Sequence, residues 1–158
     1  MKQEQVQDFT RRISQSNRGA LVVIIYEIIF AYMKDAEDAL AGGNYEGFKE
    51  ALAKAARGVD ELMHSLNFQY EISGDLYSLY VFVKETIAKA VIKKQTDGLA
   101  DAKEVLMNLY TGFKEAAKQD YSKPLMQNTQ QVYAGMTYGR NHLTETFQEP
   151  ESSRGFFA

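Results

Sequence analysis

One stretch of the chain is apolar on nearly every face, and it limits the possible folds more than any other feature. Residues 20–33 read ALVVIIYEIIFAYM, with Glu27 as the one charged side chain. The apolar positions continue in helical step at Ala36 and Leu40, beyond the usual length of a strand, so the pattern predicts a helix. At about 1.5 Å per residue the run reaches about 20 Å, which is too short to cross a hydrocarbon core of about 30 Å. A helix that is apolar nearly all round has to be covered by something else.

This first predicted helix leaves a choice of which face enters the core. Steps of three and four residues select one apolar stripe. Its members are Leu21, Ile24, Ile25, Ile28, Ile29, Tyr32 and Ala36. The other large apolar side chains of the run are expected on flanking faces, and they are Val22, Val23, Tyr26, Phe30 and Met33.

Three further segments have helical apolar spacing and are joined by short polar turns. They run over about residues 45–66, 75–94 and 99–118, with Asp75 as the predicted N-cap of the middle one. Helices of this length on short loops fold back on their neighbours. The prediction is therefore an all-α fold, an antiparallel up-down-up-down four-helix bundle. Residues 6–13 are expected to form a short N-terminal flanking helix.

The last part of the chain has a different character. Residues 1–118 are predicted to form the helical bundle domain, and residues 119–158 a loop-rich, partly irregular tail that contains both prolines. The tail nevertheless has apolar residues that a solvated segment does not need. They could pack on the bundle, occupy a partner groove in the free protein or bind another protein. The residues concerned are Val132, Tyr133, Met136, Tyr138, Phe156 and Phe157.

Composition excludes several classes of function. With a net charge of -3 over 158 residues, the chain has no excess of Lys and Arg that would favour a nucleic acid as partner. It contains no Cys, so disulfides and thiolate metal sites are excluded and a reducing compartment is favoured. The first residues carry acids and glutamines without an apolar stretch, so no signal peptide is predicted. We expect a cytoplasmic protein that binds neither nucleic acid nor membrane.

Residues that could carry out chemistry are sparse. Glu61 and His64 have the Glu-x-x-His spacing of di-iron bundles, but that centre needs a second such motif. The other histidine, His142, has no Glu three positions before it. Both Glu61 and His64 also lie off the apolar stripe of their helix, and the chain shows no catalytic triad and no phosphate-binding Gly-rich loop. We predict a protein that is not an enzyme and that holds no metal or cofactor.

Residues 60–94, DELMHSLNFQYEISGDLYSLYVFVKETIAKAVIKK, combine helical spacing with a repeated Leu-Tyr pattern. The stretch resembles the middle of the FliS family of flagellin export chaperones, in which a Leu-Met-x-x-Leu helix end and a polar loop precede Leu-Tyr-x-Leu-Tyr. Here those elements are Leu62, Met63 and Leu66, the loop to Gly74, and then Leu76, Tyr77, Leu79 and Tyr80. The resemblance extends over about residues 6–118, with Tyr26 at the position of the family's tyrosine in the first helix.

The resemblance implies a cytoplasmic export chaperone. Such a protein binds the disordered C-terminal segment of flagellin, prevents its premature polymerisation and aids its secretion. Other flagellar export proteins are a further class of partner, and we expect a monomer or a weak homodimer. The alternative is a helical-bundle adaptor, or a homodimeric interaction protein, that is unrelated to flagellin.

A partner segment that folds on a groove has to offset an ordering cost of about 2–5 kcal/mol, which calls for an apolar surface with aromatic anchors. We predict partner contacts at residues beside the core stripes. These are Val22, Val23, Tyr26, Phe30, Tyr77, Tyr80 and Tyr110. For each tyrosine the alternative is a structural role, in which the ring closes the edge of the bundle and the hydroxyl meets water.

Overall fold

Five α-helices make up most of residues 1–126, which are the residues that the computed structural model describes. They are α1 (Gln3–Gln15), α2 (Arg18–Ala41), α3 (Tyr45–His64), α4 (Ile72–Lys93) and α5 (Leu99–Ala117). That part of the chain contains no strand, so the predicted all-α class is confirmed. None of the helices between residues 1 and 126 has the length and apolar character needed to cross a membrane.

Helices α2 to α5 share one hydrophobic core. Helix α2 packs against α3 and α5, α3 packs against α4, and α4 packs against α5. Each of these helices therefore contacts the next one along the chain, and α5 closes the set against α2, which is consistent with the predicted bundle. The largest fully buried side chains come from all four: Tyr26, Ile29, Met33, Phe48, Leu52, Val59, Leu62, Tyr80, Val83, Leu99 and Leu106.

Helix α2 buries a different face from the predicted stripe. The prediction places Val23, Tyr26 and Met33 on flanking faces, yet all three are buried. A helix that is apolar nearly all round has no polar face to fix its rotation, so the neighbouring helices decide which side is covered. The prediction that Val23 and Tyr26 lie beside the core is therefore wrong. Four members of the predicted stripe are only partly buried, and they are Leu21, Ile25, Ile28 and Tyr32.

The start of α4 differs from the prediction by about one turn. The helix begins at Ile72, so Asp75 lies inside the first turn and is not the N-cap. The preceding loop supplies the hydrogen-bond partners. The Ser73 hydroxyl donates to the carbonyl oxygen of Asn67 at 2.6 Å, and the Ser73 N–H donates to that of Tyr70 at 3.1 Å. These bonds secure the first turn without a capping side chain at position 75.

The turn between α2 and α3 occupies residues 42–44. Gly43 has a φ of 73°, a left-handed conformation that favours glycine. The side-chain oxygen of Asn44 then accepts the N–H of Gly47 at 2.9 Å and caps α3. The turn therefore ends one helix and starts the next within a few residues.

Helix α1 is the predicted flanking helix, extended beyond residues 6–13 at both ends, and it packs on α2. The guanidinium group of Arg12 lies 2.6 Å from Oε2 of Glu27, which raises the pKa of Arg12. The hydroxyl of Tyr110, on α5, donates to Oε1 of the same glutamate at 3.0 Å. Nearer the start of the chain, the N-terminal ammonium group pairs with Asp35. Glu27, the one charge in the apolar run, therefore joins three helices.

Candidate partner-binding groove

An apolar groove opens at the end of the molecule where α2 and α4 begin and α5 ends, and we call it the terminal groove. Its volume is about 680 Å³. The walls come from these helix ends, from the loop between α3 and α4, and from residues 122–125. Its apolar lining consists of Leu21, Val22, Ile25, Leu66, Tyr70, Ile72, Leu76, Tyr80, Phe113 and Leu125.

Four large apolar side chains at the edge of this groove are open to solvent. Tyr70 and Ile72 line the groove itself and are 66% and 63% exposed. Phe68 and Tyr77, close to them in the sequence, are also exposed, and their rings meet edge to face with centroids 5.9 Å apart. We call these four residues the rim patch. Exposed apolar side chains beside an apolar groove are typical of a site that binds another protein.

The loop that carries half of the rim patch is held by its own hydrogen bonds. The Asn67 side-chain oxygen accepts the N–H of Gln69 at 3.0 Å, and its carbonyl oxygen accepts the N–H of Tyr70 at 3.1 Å. The Ser73 hydroxyl donates to the same carbonyl oxygen. Because these bonds fix the backbone, the apolar side chains are held in place before any partner arrives.

Tyr26 and Tyr80 form a buried pair beneath the terminal groove. Their hydroxyl oxygens are 2.5 Å apart, so each phenol satisfies the other in the core. Burial raises the pKa of both phenols, and the hydrogen bond raises that of Tyr26 further. The prediction that Tyr80 lies beside the core is therefore also wrong. Both side chains belong to the interior, although Tyr80 contributes to the groove floor.

An aromatic cluster lies between α2 and α5. The rings of Phe30 and Tyr110 are perpendicular with centroids 5.7 Å apart, and Tyr26 stacks on Phe113 at 5.8 Å. Tyr110 also donates its hydroxyl hydrogen to Glu27. The ring and hydroxyl of Tyr110 therefore already join α5 to α2.

The predicted contact residues do not form one surface. Two of them line the terminal groove and one belongs to the rim patch, while the others lie in the core or between α2 and α5. In chain order, Val22 lines the groove, Val23 and Tyr26 are in the core, Phe30 and Tyr110 lie between α2 and α5, Tyr77 is in the rim patch, and Tyr80 forms groove floor. The tail candidates fall outside the described residues, so their role stays a prediction. They are Val132, Tyr133, Met136, Tyr138, Phe156 and Phe157.

The segment that follows α5 belongs to the predicted loop-rich tail, but its contacts were not predicted. Residues 120–126, which we call the strap, leave the helix and cross the start of α2 to reach the terminal groove. The Asp120 carboxylate accepts the N–H of Gly19 at 2.9 Å, and the Leu125 N–H donates to the carbonyl oxygen of Ser16 at 2.9 Å. Gly19 and Asp120 are 101 residues apart in the chain, so no local pattern indicates that they meet.

The groove contains no arrangement typical of catalysis. Across residues 1–126, no three His, Asp or Glu side chains come together in a way that could hold a metal ion. Glu61 and His64 are both exposed, in agreement with their predicted position off the apolar stripe. The arrangement is suited to holding apolar side chains of another molecule.

Comparison with known proteins identifies the family. A family model described as flagellar protein FliS matches residues 1–120 of the 158. A relative from Bacillus subtilis (strain 168), named flagellar secretion chaperone FliS, is 23% identical over 108 residues, which are 68% of this chain and 81% of the relative. The matched residues include all five helices and the walls that they give to the terminal groove. The chain belongs to the FliS family of flagellar proteins.

Proposed function

We propose that the protein is a cytoplasmic export chaperone that binds the disordered C-terminal segment of flagellin and prevents its polymerisation before secretion. Membership of the FliS family supports the chaperone role, as does the name of the Bacillus subtilis relative. We place the binding surface at the terminal groove and the rim patch, on an up-down-up-down bundle of α2 to α5. On this proposal the protein acts by binding alone, without turnover, metal or cofactor.

The rim patch is the observation that carries the choice of site. Its four side chains are exposed beside a groove whose floor is already packed by Leu76 and Tyr80. Exposed side chains of this size contribute little to the stability of the fold, and a large apolar surface in water favours association. A partner that covers the rim patch gains the free energy of burying apolar surface that folding leaves exposed.

The energetics suit a partner that folds on binding. Ordering such a segment costs about 2–5 kcal/mol of the gross interaction energy. Each fully buried Leu, Ile or Phe side chain contributes about 1.5–3 kcal/mol, so several contacts are needed before binding becomes tight. The terminal groove and the rim patch together offer several such contacts. The hydrogen bonds of the loop between α3 and α4 also lower the entropic cost of binding, because that part of the chaperone is already ordered.

Calorimetric titration of the full chain with a flagellin C-terminal fragment of about 40 residues tests the proposal. We expect a one-to-one complex and a clearly negative heat-capacity change, because apolar surface is buried as the fragment folds. A protein that fails to bind the fragment and persists as a homodimer at high dilution would instead support the adaptor alternative.

Two isoleucines at opposite ends of α4 provide matched variants that locate the site. Ile72 lies in the rim patch, whereas Ile92 is 80% exposed and lies outside the terminal groove. We expect Ile72→Ser to weaken fragment binding about tenfold, since it removes one apolar contact. Ile92→Ser should leave the affinity within about twofold. Equal effects of the two substitutions would move the binding surface away from the terminal groove.

A further inference from the structure

The strap is fastened to the start of α2 by polar groups from both segments. The Asn17 side-chain amide donates to the carbonyl oxygens of Asp120 and Ser122, at 3.1 and 3.2 Å. The Asp120 carboxylate accepts the Gly19 N–H, and it also accepts the N–H and hydroxyl of Ser122. These bonds from Ser122 and Gly19 lower the pKa of Asp120. The strap therefore has a defined path across α2.

Beyond these bonds, the strap lies in the terminal groove. Ser122, Lys123 and Leu125 line it, and the Leu125 N–H donates to the carbonyl oxygen of Ser16, two residues before α2 begins. Leu125 is nevertheless 56% exposed, so its side chain buries little apolar area. A segment that is held by a few hydrogen bonds, of which some are only part-buried, and by few apolar contacts opens at low cost.

We propose that the strap is an internal competitor, which occupies part of the terminal groove in the free protein and is displaced by the incoming flagellin segment. This inference rests on the function proposed above. The strap already shows what this end of the molecule accepts, namely a backbone N–H that donates to the Ser16 carbonyl and a partly exposed leucine that lines the groove. A partner segment uses the same positions and therefore has to remove the strap first. The apparent affinity is lowered in proportion to the fraction of molecules in which the strap is closed.

Gly19 makes the close approach of the strap to α2 possible. A Cβ atom at this position would lie 2.8 Å from Oδ2 and 3.2 Å from Cβ of Asp120, and 3.4 Å from Cα of Ala117. Gly19→Ala therefore disturbs the strap while it favours the helical state of α2. Gly112, within α5, is the matched control, because a Cβ atom there has open space around it.

Hydrogen exchange of the full chain, free and saturated with the flagellin fragment of about 40 residues, tests displacement directly. We expect the Gly19 and Leu125 amides to exchange about tenfold faster in the complex, because displacement of the strap removes the Asp120 acceptor of the first and the Ser16 acceptor of the second. Binding that leaves these amides as protected as in the free protein would overturn the inference and leave the proposed function intact. Absence of binding would overturn the proposed function and the inference with it.

Affinities of full-length variants give the second measurement. Gly19→Ala and Asp120→Ala should each bind the fragment about 3–10-fold more tightly, since both favour the open strap. Gly19→Ala strengthens the helical state of α2, whereas Asp120→Ala removes a hydrogen-bond partner at the start of that helix. If both variants bind more tightly, a change in the stability of α2 cannot be the cause of the tighter binding. Gly112→Ala and Tyr121→Ala, at a strap residue that points into solvent, should stay within about twofold of the parent. Unchanged affinity in both Gly19→Ala and Asp120→Ala would overturn the inference.

Discussion

Helix α2 fully buries one face of its middle and leaves its start partly open. In the middle, Tyr26, Ile29 and Met33 are fully buried among α3, α4 and α5. At the start, Leu21 and Val22 line the terminal groove and remain only partly buried. Both regions carry large apolar side chains. Whether an apolar residue of this helix is buried or lines the groove therefore depends on the cover that the other helices provide, and not on the apolar character of the sequence.

The polar groups of the two regions differ in the same way. The Tyr26–Tyr80 pair is enclosed, so its hydrogen bond cannot be exchanged for one to water without opening the core. The bonds of Asn17 and Gly19 to the strap lie at or near the surface, where water can replace them. The two kinds of hydrogen bond suit a chaperone. Enclosed bonds in the core keep the groove in shape, and bonds that water can replace allow the strap to leave the groove.

The largest expected effect compares a phenylalanine of the core with a phenylalanine of the rim patch. Phe48, on α3, is fully buried, whereas Phe68, in the rim patch, is 63% exposed. Urea unfolding should show that Phe48→Ala lowers the free energy of unfolding by about 3–5 kcal/mol. Phe68→Ala should lower it by less than about 0.5 kcal/mol. Fragment binding should respond in the opposite order, because Phe68→Ala removes an exposed contact and leaves the fold intact. Similar losses of stability in both variants would make the rim patch part of the core.

Amphipathic helices were predictable from the sequence alone because their polar residues fix which face is buried. In α3, the spacing predicts one apolar stripe, whose members are Tyr45, Phe48, Leu52, Ala55, Val59, Leu62 and Leu66. The five central residues are buried, whereas Tyr45 at the helix start is exposed and Leu66 beyond its end is partly buried. In α2, the apolar residues occupy every face, so periodicity identifies the helix without fixing its rotation. The same difficulty affects α4, where the spacing predicts a core stripe of Leu76, Leu79, Val83, Ile87 and Ala90. Of these, Leu79 is only partly buried, while the neighbouring Tyr80 is fully buried.

The terminal groove could be predicted only in part. The loop sequence between α3 and α4 indicated a helix boundary, and Val22, Tyr77 and Tyr80 were among the predicted contact residues. Tyr70 and Ile72 were not, because loop residues have no periodicity that tells an exposed apolar side chain from a buried one. The contacts of the strap could not be predicted for a different reason. Its contacts join residues about a hundred positions apart, and only the packing of α5 against α2 brings them together.

The Tyr26–Tyr80 pair offers a smaller effect that tests how closed the core is. Tyr26→Phe leaves the Tyr80 hydroxyl buried without its partner, so we expect the free energy of unfolding to fall by about 1–3 kcal/mol. The double variant, with Tyr80→Phe added, should be more stable than the sum of the two single effects implies, because no polar group is then left unpaired. Strictly additive losses in a double-mutant cycle would mean that water reaches the pair. The core beneath the terminal groove would then be open.

The smallest expected effect concerns the attachment of α1, where two neighbouring arginines differ in their partners. Arg12 pairs with Glu27 of α2, whereas Arg11 pairs with Asp8 within α1 itself. Both pairs are partly or largely exposed, so neither substitution should change the free energy of unfolding by more than about 1 kcal/mol. Hydrogen exchange should separate them, because Arg12→Ala removes a link between helices and should speed exchange along α1, while Arg11→Ala should not. Equal exchange in the two variants would show that the apolar face of α1 holds it on α2. The ion pair to Glu27 would then add only local order.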